Sequence, residues 1–179
     1  MSSKPTPAKK IRPLTPELLW QLARLGAPSL SPDGRRAVCS VTRYDTERNE
    51  GRAALWLLDT AGGAPRQLTA CGARDGQPQW SPRGDHIAFL ARREQEGEKD
   101  GSAQLYTIAP DGGEAQRVSH FGPGIESFKW CADGRRIVFS AWVWPDAKSV
   151  AEQDKRHKAW VERKETGYVT SEAHYRHWD

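Results

Sequence analysis

The chain has 179 residues, of which 37% are hydrophobic and 28% charged, and eight are tryptophans, a composition that argues against disorder. Its formal net charge of +4 arises from 27 basic and 23 acidic residues spread along the chain, which gives no support for nucleic-acid binding. The longest apolar run, residues 53–58, is too short to span a bilayer, and residues 1–12 lack the apolar stretch of a signal peptide. We therefore expect a cytoplasmic protein without nucleic-acid or membrane partners.

The first predicted element is a helix that follows a flexible tail over residues 1–13. Thr15 can cap this helix, Pro16 suits its first position and Gly26 would end it, so that the predicted helix spans residues 14–26. Leucines at spacings of three and four residues give it one apolar face. We expect this face to pack against the rest of the fold or against another domain.

A turn motif then recurs three times, at intervals of about 50 residues. It reads Ser-Pro-Asp-Gly at 31–34, Ser-Pro-Arg-Gly at 81–84 and Cys-Ala-Asp-Gly at 131–134. Each turn precedes a strand that is apolar on both faces, which predicts that neighbouring units cover both faces. The first two repeats continue through a third strand and a Gly-Gly turn to a fourth strand. A repeat of this kind is typical of β-propeller blades.

The periodicity predicts an all-β fold, namely a β-propeller segment of two four-stranded blades and part of a third. The predicted boundaries are 27–75 for blade 1, 76–125 for blade 2, and 126–179 for an incomplete blade 3 with a helical insertion over about 147–164. Because propellers close with roughly four to eight blades, we expect the opening portion of a longer protein or a truncated product.

The same pattern predicts individual strands and connections within the blades. Third strands are expected at 55–58 and 105–108, fourth strands at 66–69 and 116–119, connecting loops at 42–52 and 92–100, and further strands of blade 3 at 168–170 and 175–178.

An acidic group in the second blade is a candidate for binding a peptide amine. Its carboxylates belong to Glu94, Glu96, Glu98 and Asp100. Basic residues at 92, 93 and 99 are interleaved with them, so we favour a solvated loop.

Other chemistry-bearing side chains receive structural interpretations. His174 and His177 would share a face only on a helix; in the expected strand they point to opposite faces and bind no metal together. Trp80 and Trp130 recur at one blade position, which predicts core packing. Residues 154–164 form a basic helix that we expect to dock on a partner domain, because Trp160 and nearby tryptophans need cover.

The three cysteines, Cys39, Cys71 and Cys131, are far apart and include no Cys-x-x-Cys pair. This pattern favours neither a disulfide framework nor a zinc site. Cys39 falls where the second repeat has Phe89, which predicts a buried thiol. The sequence thus predicts no catalytic, cofactor-binding or metal-binding residue in this chain.

Several segments together resemble the start of prolyl-oligopeptidase-family serine peptidases, above all the acylaminoacyl-peptidase-like and dipeptidyl-peptidase-like branches. They are Leu-Thr-Pro-Glu-Leu-Leu-Trp at 14–20, the turn at 28–34, Leu-Trp at 55–56, the Gly-Gly segment at 62–69 and Tyr-Arg-His-Trp-Asp at 175–179. TolB-like propellers share the blade motifs, and the leading helix and the final segment strengthen the resemblance to the peptidase family. The resemblance implies an N-terminal propeller that caps a C-terminal α/β-hydrolase domain with a Ser-Asp-His triad.

The chain contains no Gly-x-Ser-x-Gly nucleophile motif, so the resemblance supplies no catalytic residue here. The resemblance implies a substrate-gating propeller segment of a serine peptidase that acts on oligopeptides, the catalytic α/β-hydrolase domain being absent from this chain. The expected partners are that domain and a peptide substrate. Two alternatives stay open: a non-catalytic TolB-like scaffold for protein–protein interaction, and a truncated gene product.

Overall fold

The computed structural model describes residues 13–70, 74–95, 97–165 and 167. Antiparallel strands dominate these residues and form one main sheet for each predicted blade. In chain order the elements are α1 (Pro16–Gln21), β1 (Arg24–Leu25), β2 (Ser29–Leu30), β3 (Arg36–Asp45), β4 (Glu50–Asp59), β5 (Arg66–Gln67), β6 (Gly76–Trp80), β7 (Ile87–Ala91), β8 (Glu94–Gln95), β9 (Glu98–Lys99), β10 (Gln104–Ile108), β11 (Gln116–Arg117), β12 (Ser127–Trp130), β13 (Ile137–Ser140) and α2 (Val150–Glu162). The predicted all-β propeller segment is confirmed.

Helix α1 is shorter than predicted. The Thr15 side chain accepts a hydrogen bond from a backbone N–H of the first turn at 3.3 Å, as expected of the N-terminal cap. The helix nevertheless ends at Gln21, before the predicted end at Gly26. Residues Arg24 and Leu25 instead pair with β3 as strand β1, because that pairing satisfies their backbone groups in the sheet.

Blade 1 contains a longer hairpin than the sequence predicts. Strands β3 and β4 have 10 residues each and pair down to Asp45 opposite Glu50. The loop predicted over 42–52 is therefore wrong, since most of it is strand. Thr42 and Tyr44 favour extended backbone and continue β3. The Asp45 Oδ1 closes the short turn by accepting two backbone N–H bonds, at 3.1 and 3.0 Å.

Blade 2 is the predicted four-stranded sheet, in the order β6-β7-β10-β11. The connection predicted over 92–100 contains the small hairpin β8–β9, and the fourth strands β5 and β11 are only 2 residues long. In blade 3 the described residues form the sheet β12–β13, followed by helix α2 within the predicted insertion. The strands predicted at 168–170 and 175–178 lie outside the described residues. No helix among residues 13–165 that the structure describes is long and apolar enough to cross a bilayer.

The recurring turn has one geometry in all three blades. Its glycines, Gly34, Gly84 and Gly134, have φ values of 69°, 74° and 62°, a left-handed conformation that side-chain-bearing residues rarely adopt. Each glycine N–H donates to the carbonyl oxygen of the first turn residue, at 2.9, 3.0 and 3.0 Å. The sequence repeat is therefore a repeat of backbone conformation.

The hydrophobic core lies between the blades. Phe89, on one face of β7, belongs to a core shared with Val38 of blade 1. Leu90, on the other face, belongs to a core shared with Phe128 of blade 3. Burial of each such side chain stabilises the fold by about 1.5–3 kcal/mol. The predicted covering of both strand faces is confirmed for blade 2.

Hydrogen bonds join the first strands of adjacent blades. The Trp80 backbone N–H donates to Ser29 Oγ at 3.0 Å, and Gln79 Nε2 donates to the Phe128 carbonyl oxygen at 2.9 Å. The indole N–H of Trp130 donates in return to the Gln79 carbonyl oxygen at 3.3 Å. These bonds set the spacing of β2, β6 and β12.

Candidate binding groove between the first two blades

The strand order brings several irregular segments to one end of the blade stack. The four strands of a blade alternate in direction. The connection from the second to the third strand therefore lies at the same end of the stack as the connection from one blade to the next. We call it the hairpin end. It carries α1, the β3–β4 turn, the β8–β9 hairpin, the connection before β6 and helix α2. The recurring glycine turns lie at the opposite end.

A groove of about 820 Å³ opens at the hairpin end, between the β3–β4 hairpin and the start of blade 2. Its walls combine two aromatic rings, several hydroxyl groups, three carboxylates and one arginine. The lining residues are Trp20, Ser40, Thr42, Tyr44, Asp45, Thr46, Asn49, Glu50, Gly51, Ala53, Arg74, Asp75 and Gly76.

Asp75 is the most unusual residue of the groove because its carboxylate is fully buried. Its backbone N–H donates to the Ala53 carbonyl oxygen at 3.1 Å, which holds it against blade 1. Its Oδ2 lies 2.6 Å from Arg93 Nη2. Its Oδ1 accepts no hydrogen bond from any residue that the structure describes. A buried carboxylate is costly unless it is paired, so Arg93 is essential to this arrangement.

Arg93 links Asp75 to a second buried carboxylate. The guanidinium carbon lies 5.1 Å from the Phe89 ring centroid and 5.5 Å from that of Tyr106. Its backbone N–H donates to Asp100 Oδ2 at 3.0 Å, and the Tyr106 hydroxyl donates to the same oxygen at 2.6 Å. Burial, together with the Asp100 carboxylate, raises the pKa of Tyr106 well above its ordinary value.

The second carboxylate, Asp100, is also paired with an arginine of the fourth strand. Arg117 Nη2 lies 3.1 Å from Asp100 Oδ1, and both side chains are largely buried. Alternating acidic and basic groups thus run from Asp75 to Arg117 beneath the β8–β9 hairpin. Each charge is compensated by a neighbour of opposite sign, as buried charges require.

The predicted solvated acidic loop is therefore corrected in part. Asp100 points inward and is only 6% exposed, because Arg117 and Tyr106 hold it in the blade. Arg93, predicted to lie in the same loop, is also largely buried. Glu94 is exposed, as predicted for a loop. Glu96 lies outside the described residues.

The outer wall of the groove is aromatic. The Trp20 and Tyr44 rings meet edge to face, with centroids 5.3 Å apart. The Arg24 guanidinium carbon lies 5.4 and 4.7 Å from these two centroids. This arrangement attaches α1 to blade 1 and shows that the ring pair accommodates a guanidinium group.

Trp80 and the first cysteine occupy the predicted buried environments, whereas Trp130 packs on the core shared by blades 2 and 3 and is only partly buried. Trp80 is 6% exposed within the core, and the Arg36 guanidinium carbon lies 5.1 Å from its ring. Cys39 is a buried free thiol, and burial raises its pKa, so it is a poor nucleophile. The third cysteine, Cys131, is a partly buried free thiol. Cys71 lies outside the described residues.

His174 and His177, which were considered as a possible pair of metal ligands, lie outside the described residues. In the rest of the chain that the structure describes, no three His, Cys, Asp or Glu side chains are grouped to hold a metal ion.

Helix α2 is attached by polar contacts to the segment that precedes it in blade 3 and to the end of blade 2. Gln153, which is buried, donates from Nε2 to the Trp144 carbonyl oxygen at 2.8 Å and accepts from the Trp144 N–H at 2.9 Å. The Asp154 Oδ1 accepts from the Gly122 N–H at 2.6 Å. Trp160 nevertheless remains 51% exposed. The predicted docking of this helix on a partner domain stays a prediction.

The groove was not predicted because its key residues have no local signature. Asp75 lies in a connection between blades, and its burial depends on Arg93 in the next blade. A buried aspartate cannot be told from an exposed one by residue type alone.

Comparison with known protein families matches residues 22–162 to the TolB beta propeller domain. The chain belongs to this family. The match covers all three blades of the described structure, and it agrees with the sheet order found here.

Curated relatives of this TolB-type propeller include peptidases. The chain is 36% identical over 56 residues to dipeptidyl-peptidase 5 of Porphyromonas endodontalis, an alignment that covers 31% of the chain and 8% of the relative. The corresponding enzyme of Porphyromonas gingivalis is 38% identical over 56 residues, with the same coverage. The aligned region therefore spans less than a tenth of these relatives.

Solved structures of similar fold include peptidases and TolB itself. An acylaminoacyl peptidase from Pyrococcus horikoshii has a TM-score of 0.55 and 19% identity, over 73% of this chain and 20% of that one. A putative TolB from Agrobacterium tumefaciens has a TM-score of 0.51 and 20% identity, over 68% of this chain and 39% of that one. The apo AtxE2 isopeptidase has a TM-score of 0.54 and 25% identity, over 72% of this chain and 23% of that one. The likeness to the first two shows the propeller fold alone.

Proposed function

We propose that this chain is the substrate-gating propeller segment of a serine peptidase that acts on oligopeptides, and that an α/β-hydrolase domain supplies the catalytic residues. The observation that carries this proposal is the sequence similarity to dipeptidyl-peptidase 5, at 36% identity over 56 residues. The order of motifs from the leading helix onward supports the same assignment. The predicted blade boundaries and a cytoplasmic location are part of this proposal.

The outer face of blade 3 supports a larger propeller. Val138 occupies the repeat position of Val38 and Ala88, which are both 0% exposed, yet it is 59% exposed. Blades 2 and 3 cover the equivalent faces of blades 1 and 2. We therefore propose that a further blade covers this face.

The hairpin end is the proposed contact surface for the hydrolase domain. Two helices at this end present large apolar side chains to solvent: Leu22 near α1 is 56% exposed, and Trp160 and Val161 of α2 are 51% and 60% exposed. Exposed apolar groups that cluster on one side of a protein are typical of interaction surfaces. Peptides would reach the catalytic domain along the propeller.

The test uses the complete gene product isolated from its source. A fluorophosphonate probe labels activated serines, and peptide mapping identifies the labelled residue. We expect one labelled serine in a Gly-x-Ser-x-Gly motif outside residues 1–179, together with cleavage of short peptides but not of folded proteins. A gene product with no such motif and no labelling would remove the peptidase assignment.

A non-catalytic TolB-like scaffold is the second candidate. It is favoured by the family match over residues 22–162, because that match is to the TolB propeller and not to a peptidase domain. The scaffold predicts protein partners in affinity purification and no labelled serine. A truncated product without independent activity is the third candidate; it predicts poor solubility of the 179-residue chain, and a monomeric, cooperatively unfolding sample would contradict it.

A further inference from the structure

The sheet of blade 1 has one face against blade 2 and one open face, which we call the outward face. Residues directly opposite each other in antiparallel strands share a face, and alternate residues of one strand do so as well. The pairing therefore places Leu25, Leu30, Val41, Arg43, Arg52 and Trp56 on the outward face. Leu25 is 73% exposed and Leu30 is 62% exposed. The outward face is thus an apolar surface that also carries two arginines.

The outward face of blade 1 has a covered counterpart in blade 2. Trp56 lies opposite Cys39 in blade 1, and Tyr106 lies opposite Phe89 at the same repeat positions of blade 2. Phe89 and Tyr106 belong to the core that blades 1 and 2 share. In blade 2 this face is therefore covered by the preceding blade, and the same face of blade 1 is suited to another blade.

Arg43 is the counterpart of Arg93 in this repeat. Its guanidinium carbon lies 5.3 Å from the Trp56 ring centroid, much as Arg93 lies against the aromatic rings of its own blade. Arg93 is paired with Asp75 at 2.6 Å, but Leu25 stands at the corresponding position of blade 1. Arg43 is exposed and forms no ion pair with any residue that the structure describes.

The surroundings of Arg43 supply no free carboxylate. Arg52 lies directly opposite Arg43, and like charges in such a pair repel each other. A groove of about 700 Å³ on this face is lined by both of them and by Arg74. Glu50 is the one carboxylate among the described residues of its lining, and it is paired with Arg52 at 3.2 Å. The groove therefore has an excess of positive charge.

A charge that is removed from water needs a partner of opposite sign. A surface that covers Arg43 must therefore bring a carboxylate with it. We propose that a further propeller blade packs on the outward face of blade 1 and presents an aspartate or glutamate side chain to Arg43 and Arg52. This face and Val138 lie at opposite ends of the stack. The inference rests on the larger propeller of the proposed function, but not on the peptidase assignment.

The first test asks whether the outward face is covered. Hydroxyl-radical labelling with mass spectrometry compares the 179-residue chain with the complete gene product. Leu25 and Leu30 should lose most of their labelling in the complete product. Val118, which is 49% exposed and follows the fourth strand of blade 2, should be labelled equally in both. Unchanged labelling of the two leucines, or protection that depends on protein concentration as a second copy would give, would overturn the proposal.

The second test identifies the carboxylate. Arg43→Lys keeps the positive charge and supplies an amine that a carbodiimide joins to a carboxylate in contact. Peptide mapping of the complete gene product should find position 43 linked to an aspartate or glutamate outside residues 1–179. Arg35→Lys, at an exposed arginine just before β3, is the matched control and should give no such link. No link at position 43, or a link only to Glu50, would overturn the proposal.

These outcomes are separable from those for the proposed function. A labelled serine together with unprotected leucines would keep the peptidase assignment and remove the contact on the outward face. Protected leucines and the link at position 43, without a labelled serine, would keep the contact and remove the peptidase assignment.

Discussion

The Tyr106 hydroxyl donates a 2.6 Å hydrogen bond to Asp100 Oδ2, and both side chains are buried in blade 2. The same carboxylate receives the Arg93 backbone N–H and lies beside Arg117. The Asp100 carboxylate therefore connects the third strand of the blade, the β8–β9 hairpin and the fourth strand. It also makes the stability of the blade sensitive to the protonation of a tyrosine.

The Tyr106 contact predicts a loss of stability at alkaline pH. Burial and Asp100 raise the pKa of Tyr106 above its unfolded value of about 10. The folded state thus holds the proton more tightly, so this contribution to the free energy of unfolding is complete below about pH 10 and declines as pH rises further. Urea unfolding of the wild-type chain between pH 8 and about 11.5 checks this. Tyr106→Phe should be less stable at neutral pH by about 1.5–3 kcal/mol and should lose less stability on the alkaline side; an unchanged alkaline decline would refute the assignment.

The Asp75–Arg93 pair predicts a contrast between buried and exposed ion pairs. Arg93→Gln leaves a buried carboxylate without its cation and should lower the free energy of unfolding by about 3–5 kcal/mol. Arg52→Gln removes a pair whose side chains are 69% and 51% exposed, and should cost no more than about 1 kcal/mol. Chemical denaturation of both variants measures the difference. Similar losses in the two would show that the Asp75 carboxylate is not buried in solution.

The recurring turn predicts a position-dependent cost of adding a methyl group. At Gly34 an added Cβ meets nothing within 4 Å, so Gly34→Ala should cost only the strain of the left-handed backbone, about 1–2 kcal/mol. At Gly134 the Cβ would also lie 2.6 Å from Arg83 Cγ, which adds a steric penalty. Gly101→Ala, where φ is not left-handed and space is open, is the control and should not destabilise. Thermal melts give the order, and a loss at Gly101 equal to that at Gly34 would contradict it.

Equivalent valines in two blades predict opposite sensitivities. Val38→Ala removes buried methyl groups from the core between blades 1 and 2 and should cost about 1–3 kcal/mol. Val138→Ala, at the exposed repeat position, should cost less than about 0.5 kcal/mol in the 179-residue chain. If a further blade covers Val138 in a longer product, the same change should become destabilising there. Unfolding curves of both proteins decide this.

The blades were predictable from sequence because their determinants are local and repeat. Gly34 and its two counterparts require a left-handed backbone wherever the turn occurs, and the alternating strand residues fix which faces are covered. The boundaries of α1 and the β3–β4 hairpin were less predictable. They depend on whether residues such as Arg24 and Tyr44 find a partner strand, and this is decided by tertiary pairing and not by local preference.

The groove between the first two blades could not be predicted from the sequence. Its base is made of a residue from the connection between blades and a residue from the next blade, Asp75 and Arg93, which are 18 positions apart. The acidic residues of the second blade were considered because they lie close together in the sequence. One of them, Asp100, instead belongs to a buried network of ion pairs and hydrogen bonds. Burial depends on the stacking of two sheets, which residue order does not specify directly.

The links between first strands have a consequence for behaviour at high concentration. A strand at the margin of a sheet offers open N–H and C=O groups on which a foreign chain can add and start a fibril. Here Ser29, Gln79 and Trp130 bond to such groups of neighbouring strands at three places. These side chains therefore occupy part of the unpaired edge of the first strands, so the addition of a foreign strand would have to begin at another edge.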